Sequence, residues 1–72
     1  MDNIVLTERM KDWLKEIYLE QAREHRGLAS NYHTFALGSE TQEMATHFEE
    51  YAEECREFAH ILECLAKELD LE

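Results

Sequence analysis

One periodicity in the second half of the chain leaves few folds open. Met44, Phe48, Tyr51, Cys55, Phe58, Leu62, Leu65 and Leu69 recur at spacings that alternate between four and three residues, and Ala45, Ala52, Ala59 and Ala66 recur every seven beside them. This pattern holds apolar side chains on one side of an α-helix and packs that side against other helices. A strand would alternate faces at every second residue, so the pattern excludes a sheet. The large residues are expected to fill the seam, with the alanines admitting a second neighbour at close range. The apolar arc is then wider than a contact with one helix requires, which points to four helices.

Little in the chain can interrupt a helix: proline is absent and glycine occurs twice, at Gly27 and Gly38. Gly38 is expected to close one helix in the left-handed conformation, and Ser39 with Gln42 three residues later reads as a capping box that opens the next. Thr7, followed by Glu8, caps the first helix. The spacing therefore predicts helix 1 from about Thr7 to Leu37 and helix 2 from about Glu40 to Leu69, each about 45 Å long. The fold class is all-α, a single antiparallel helical hairpin over residues 1–72. Gly27 costs about 1 kcal/mol relative to Ala inside a helix, so helix 1 is expected to run through it.

Helix 1 supplies a matching face with Leu6, Met10, Trp13, Leu14, Ile17, Leu28, Tyr32 and Phe35, but Gln21, Glu24 and His25 fall inside its apolar arc. Folding at Gly38 sets this polar stretch level with Ala52 to Arg56, which makes Tyr51, Glu54 and Cys55 its expected neighbours. Gln21, Glu24, His25, Tyr51 and Glu54 then form a polar core layer whose hydrogen bonds fix the helix register. A metal or small-ligand site built by Glu24, His25 and Glu54 of two chains is the alternative.

A chain of 72 residues buries a small core, so a metal or self-association is expected to stabilise it. Its two cysteines lie nine positions apart on one helix and cannot bridge each other. Two hairpins packed about a twofold axis would make an antiparallel four-helix bundle, a homodimer or higher homo-oligomer. The formal charge of −10 opposes direct contact with nucleic acid or an anionic membrane. It suits basic protein partners, divalent cations or simple solubility. No apolar run reaches 18 residues, and MDNIVLTERMKD lacks the features of a secretory signal, so the expected compartment is the cytoplasm.

The stretch EECREFAHILEC contains Glu57 and His60 as an E-x-x-H pair one helical turn apart. Around it, MATHFEEYAEECREFAHILECLAKEL resembles the second helix of the hairpin half of ferritin-like proteins, the superfamily of bacterioferritins and rubrerythrins, and EQAREHRGLASNY adds a looser similarity in helix 1. The resemblance implies a four-helix bundle and a di-iron site, with Glu20, Glu57 and His60 from each of two chains as ligands in an iron-oxidising or peroxide-reducing enzyme. Laid on these residues, however, the family pattern runs Phe48, Ala52, Cys55, Phe58, Ala59, with Cys55 where a Glu ligand belongs and Phe58 where a His belongs. Glu57 and His60 stand two residues out of phase. With Phe48 as zero, the apolar arc of helix 2 centres near about −30°, whereas Glu57 lies at about 180° and His60 at about 120°. Both are expected to face water.

Glu53, Glu57, His60 and Cys64 share an outward strip at i, i+4, i+7 and i+11, a set of donors suited to zinc or another transition metal. Nucleophilic catalysis finds little support. Cys55 is expected among apolar neighbours that keep a thiol protonated, and no Ser-His-Asp set, phosphate loop or paired-cysteine zinc motif is present. The leading expectation is a non-catalytic, acidic helical protein that works by self-association and protein–protein contact, as an adaptor, a co-chaperone or an inhibitor of a basic protein surface. The rival is the di-iron oxidase assembled at a dimer interface.

Overall fold

Two helices of 30 residues each, α1 (Glu8–Leu37) and α2 (Gln42–Leu71), fold back on one another as an antiparallel hairpin measuring 52 × 23 × 16 Å. The computed structural model describes residues 6–71. Among the described residues there is no strand, and no helix is long and apolar enough to cross a membrane.

Capping explains both helix starts. Thr7 is extended (φ −73°, ψ 163°), and its Oγ1 accepts the Met10 amide N–H at 3.1 Å, which satisfies a donor with no partner inside the helix. At the turn the expected capping box gives way to a different cap. Thr41 Oγ1 accepts the Met44 amide N–H at 3.1 Å, so Thr41 opens α2 and the helix begins at Gln42, two residues later than expected. Ser39 faces the helix it leaves, donating its hydroxyl to the Phe35 carbonyl at 2.7 Å. Gly38 is not left-handed: it takes φ −93° and ψ 4°, and its N–H donates to the Thr34 carbonyl at 3.2 Å. The turn is closed by hydrogen bonds that any residue could make, and it does not require glycine.

The packing between the helices splits the expected apolar face of helix 2: Phe48, Cys55, Leu62 and Leu69 stay buried or partly buried, while the alanines beside them take the centre of the contact. Ala22, Ala29 and Ala36 of α1 and Ala52, Ala59 and Ala66 of α2 are buried, Ala52 and Ala59 completely. The alanines thus form the seam inside the hairpin, each set repeating every seven residues. Leu62 is the one large side chain in the buried core of the described residues; it joins Ala22 and Ala59, with Tyr18 packed beside them. Met44, Tyr51, Phe58 and Leu65, expected in the seam, stand 38 to 48 % exposed. The physical reason is the short turn. It draws the two helices together along their whole length, and small side chains allow backbone atoms to make the many weak dispersion contacts that larger ones would hold apart.

Gly27 sits in mid-helix with no atom within 4 Å of the place a Cβ would occupy. Gly27→Ala should therefore raise stability by about 1 kcal/mol through the lost backbone entropy alone. In a chain of this size that corresponds to about 4–8 °C in a thermal melt followed by circular dichroism.

Candidate functional site

The alanine seam divides the hairpin's remaining surface into two unlike flanks. One is polar and holds the cross-helix ion pairs. Arg26 grips Glu63 through two bonds, Nε to Oε2 at 2.8 Å and Nη2 to Oε1 at 2.6 Å. Lys15 Nζ donates to Asp70 Oδ1 at 2.9 Å, and His33 Nδ1 lies 2.7 Å from Glu49 Oε1. The bonds from Arg26 hold the Glu63 carboxyl below its usual range against some opposition from desolvation, and the bond to Asp70 raises the Lys15 ammonium.

A carboxylate depressed in the folded state stabilises above its unfolded pKa and loses that contribution as pH falls through its folded pKa. The Glu63 contribution should therefore disappear on the acid side. In Arg26→Gln the Glu63 carboxyl should return to ordinary carboxylate titration, as read by NMR of its side-chain carbon.

The other flank is apolar. Because the two antiparallel helices share a front face, residues displaced in the same angular sense from each alanine seam emerge together. From α1 these are Met10, Ile17, Leu28 and Phe35; from α2 they are Met44, Tyr51, Phe58 and Leu65, and all eight lie between 38 and 55 % exposed. Ring contacts tie the two halves. Tyr32 stacks on Phe48 with centroids 6.3 Å apart and meets Tyr51 at 5.6 Å, Phe35 meets Phe48 at 5.7 Å, and His25 stands edge-on to Phe58 at 4.7 Å. Three half-exposed aromatics, at about 150–250 Å² each when fully buried, alone offer about 300 Å². The five large aliphatic and Met residues carry the flank towards the roughly 800 Å² that each partner buries in a stable interface.

The polar layer is found outside the hairpin's own core. Gln21, Glu24 and Glu54 are exposed, and Tyr51 is 48 % exposed. Its neighbours are also corrected. His25 lies against Phe58, not against Ala52 to Arg56, and Tyr51 belongs with Tyr32 one turn or more nearer the loop. Side chains on each helix lean towards that helix's own N-terminus, so contacts between antiparallel helices pair residues farther from the turn than backbone level alone suggests. The late start of α2 adds to the displacement. The His25 imidazole meets the Gln21 carbonyl at 2.8 Å.

The same shift separates the residues of the expected di-iron site. Ala22 packs with Ala59 and Leu62 and His25 lies against Phe58, so Glu20 lies level with about Ile61 to Cys64 and not with Glu57. Glu20, Glu57 and His60 are all exposed and do not converge within one chain. On the outward strip, His60 Nε2 comes within 3.7 Å of Cys64 Sγ, while Glu53 is engaged by Arg56 at 3.0 Å. Among the described residues no three His, Cys, Asp or Glu side chains group closely enough to hold a metal ion. Cys55 and Cys64 are free thiols, Cys55 partly buried and Cys64 exposed. Ile61, one turn from Phe58, is 53 % exposed.

Searches for related proteins leave the geometry to stand alone: no family model matches the chain, and no curated protein or solved structure matches it either.

Proposed function

We propose that this chain is a non-catalytic interaction protein whose working surface is the apolar flank, and that a second copy covers that flank to make a four-helix bundle. The observation that carries this reading is the division of side chains by size. The hairpin encloses alanines and leaves eight large apolar residues of one flank about half exposed. Fully burying a large apolar side chain is worth about 1.5–3 kcal/mol, so completing the burial of these eight would gain about 8 kcal/mol per hairpin and about 16 per dimer. Association costs about 4–15 kcal/mol, so the gain suffices to hold a dimer. The flank runs the length of both helices, and a hairpin of equal length covers all of it.

The resemblance to ferritin-like proteins enters this reading as an architecture, hairpins paired into a bundle, with the acidic outer surface left to meet basic proteins. Sedimentation equilibrium tests it directly. The expected mass is twice the 8.6 kDa of the chain. Near-stoichiometric iron in the purified dimer, lost on Glu57→Ala, would defeat the non-catalytic reading in favour of the oxidase.

A further inference from the structure

The outward side of α2 takes no part in the apolar flank, and on it His60 and Cys64 stand one helical turn apart. Both side chains are exposed, and His60 Nε2 lies 3.7 Å from Cys64 Sγ. We propose that this pair is a binding site for a thiophilic divalent cation of the zinc and cadmium class, one ion per chain, with water in the positions the protein leaves open. The site is independent of self-association.

Distance supplies the first argument. Zinc holds a thiolate sulfur at about 2.3 Å and an imidazole nitrogen at about 2.0–2.1 Å, and at the tetrahedral angle those bonds set the two donors about 3.5 Å apart. The pair, at 3.7 Å, already spans nearly that bite. The backbone maintains it: α2 runs unbroken from Gln42 to Leu71, and residues four apart on a helix are surface neighbours. Donor type supplies the second argument. A sulfur beside an imidazole nitrogen suits zinc and its softer relatives, whereas calcium and magnesium demand oxygen.

Charge leaves the site open to a cation. Within one turn of the pair along α2 lie Arg56, Glu57, Glu63, Lys67 and Glu68. Arg56 is engaged by Glu53 at 3.0 Å and Glu63 by Arg26 at 2.6 Å, which leaves Glu57 and Glu68 against Lys67, a net negative surround in a chain of formal charge −10. Among the described residues no third His, Cys, Asp or Glu stands close enough to join the pair. Two protein ligands make an exchangeable site, in contrast with the four that close a structural zinc centre. Cys55, the other thiol, has Tyr51 and Ala59 four residues to either side and so offers no such pair along its helix. Glu57 contributes charge and no bond, which separates this site from the iron site of the rival reading.

Ultraviolet absorption tests the pair, with cadmium titrated into the reduced, chelator-free full chain. A thiolate-to-metal charge-transfer band should saturate at one cadmium per chain. Glu57→Ala and Cys55→Ala should keep it, and Cys64→Ser should abolish it. His60→Gln should weaken binding at least about tenfold, because even an outer partner of a metal ligand is worth about 10–100-fold. No band in the parent would reduce the 3.7 Å contact to a hydrogen bond and overturn the proposal. So would a band that persists in Cys64→Ser, or a midpoint unchanged in His60→Gln.

Zinc gives an independent sign. The helix holds the two donors together and the unfolded chain does not, so excess zinc should raise the melting temperature of the parent by several degrees and leave His60→Gln and Cys64→Ser nearly unmoved. Equal shifts in all three would contradict the site.

Discussion

Ala59→Leu should unfold the hairpin. Ala59 is completely buried in the seam, beside Ala22 of the facing helix and Leu62 of its own. A leucine there adds three carbons where the helices already touch, and the rigid pairing along the rest of the seam prevents a local retreat. Overpacking of this kind costs about 3 kcal/mol or more in a tight site, a large fraction of what a 72-residue chain can hold. The far-UV circular dichroism of the variant at 25 °C should show most of the helix lost, or a urea midpoint far below that of the parent. Ala45→Leu is the control: Ala45 belongs to the same heptad series but is only partly buried near the turn, so its penalty should be much smaller. If Ala59→Leu instead raised the melting temperature, the alanines would not be where the helices meet.

Phe58→Glu should abolish self-association while leaving the hairpin seam intact. Phe58 stands 46 % exposed on the apolar flank, edge-on to His25, and contributes to the surface a second copy covers. The substitution removes the burial of a ring and asks a carboxylate to enter an apolar interface without a cationic partner, since the lysines and arginines of each hairpin emerge away from that flank. The loss is about 2 kcal/mol per chain and is felt twice in a symmetric dimer, so the dissociation constant should rise about a thousandfold. Leu37→Glu is the matched comparison. Leu37 is 75 % exposed and follows the buried Ala36 by one residue, turned round α1 towards the polar flank, so its variant should sediment like the parent.

The two variants separate what the chain made legible from what it did not. The all-helical hairpin, its break near Gly38 and the cap at Thr7 follow from local chemistry: no proline, a seven-residue repeat and a hydroxyl placed three residues before a free amide. The facing of the repeat was not legible in the same way. Ala52 and Ala59 recur with the same period as Tyr51 and Phe58, so periodicity identifies two stripes without saying which meets the chain's own second helix. Steric closeness decides that, and closeness depends on the turn.

Thr41 shows the same limit at smaller scale. Ser39 satisfies the sequence rule for a capping box, yet its hydroxyl is taken by the Phe35 carbonyl and Thr41 caps in its place. One change of cap moves the start of α2 by two residues. Together with the lean of side chains towards each helix's N-terminus, it carries His25 from the neighbourhood of Tyr51 to that of Phe58. The outward facing expected for Glu57 and His60 needed only the phase of one helix, and both are exposed. The level of Glu20 needed the register between helices, and there the expected match to Glu57 gives way to the stretch from about Ile61 to Cys64.

The most direct test is an isotope-filtered nuclear Overhauser experiment on a bundle formed from equal parts carbon-13-labelled and unlabelled chain. Contacts between chains should arise from Leu28, Phe35, Tyr51, Phe58 and Leu65, while the methyls of Ala22, Ala52 and Ala59 should report only partners within their own chain. Inter-chain signals from those alanines, with Phe58 and Tyr51 silent, would show that the small residues join one molecule to the next and would contradict the account.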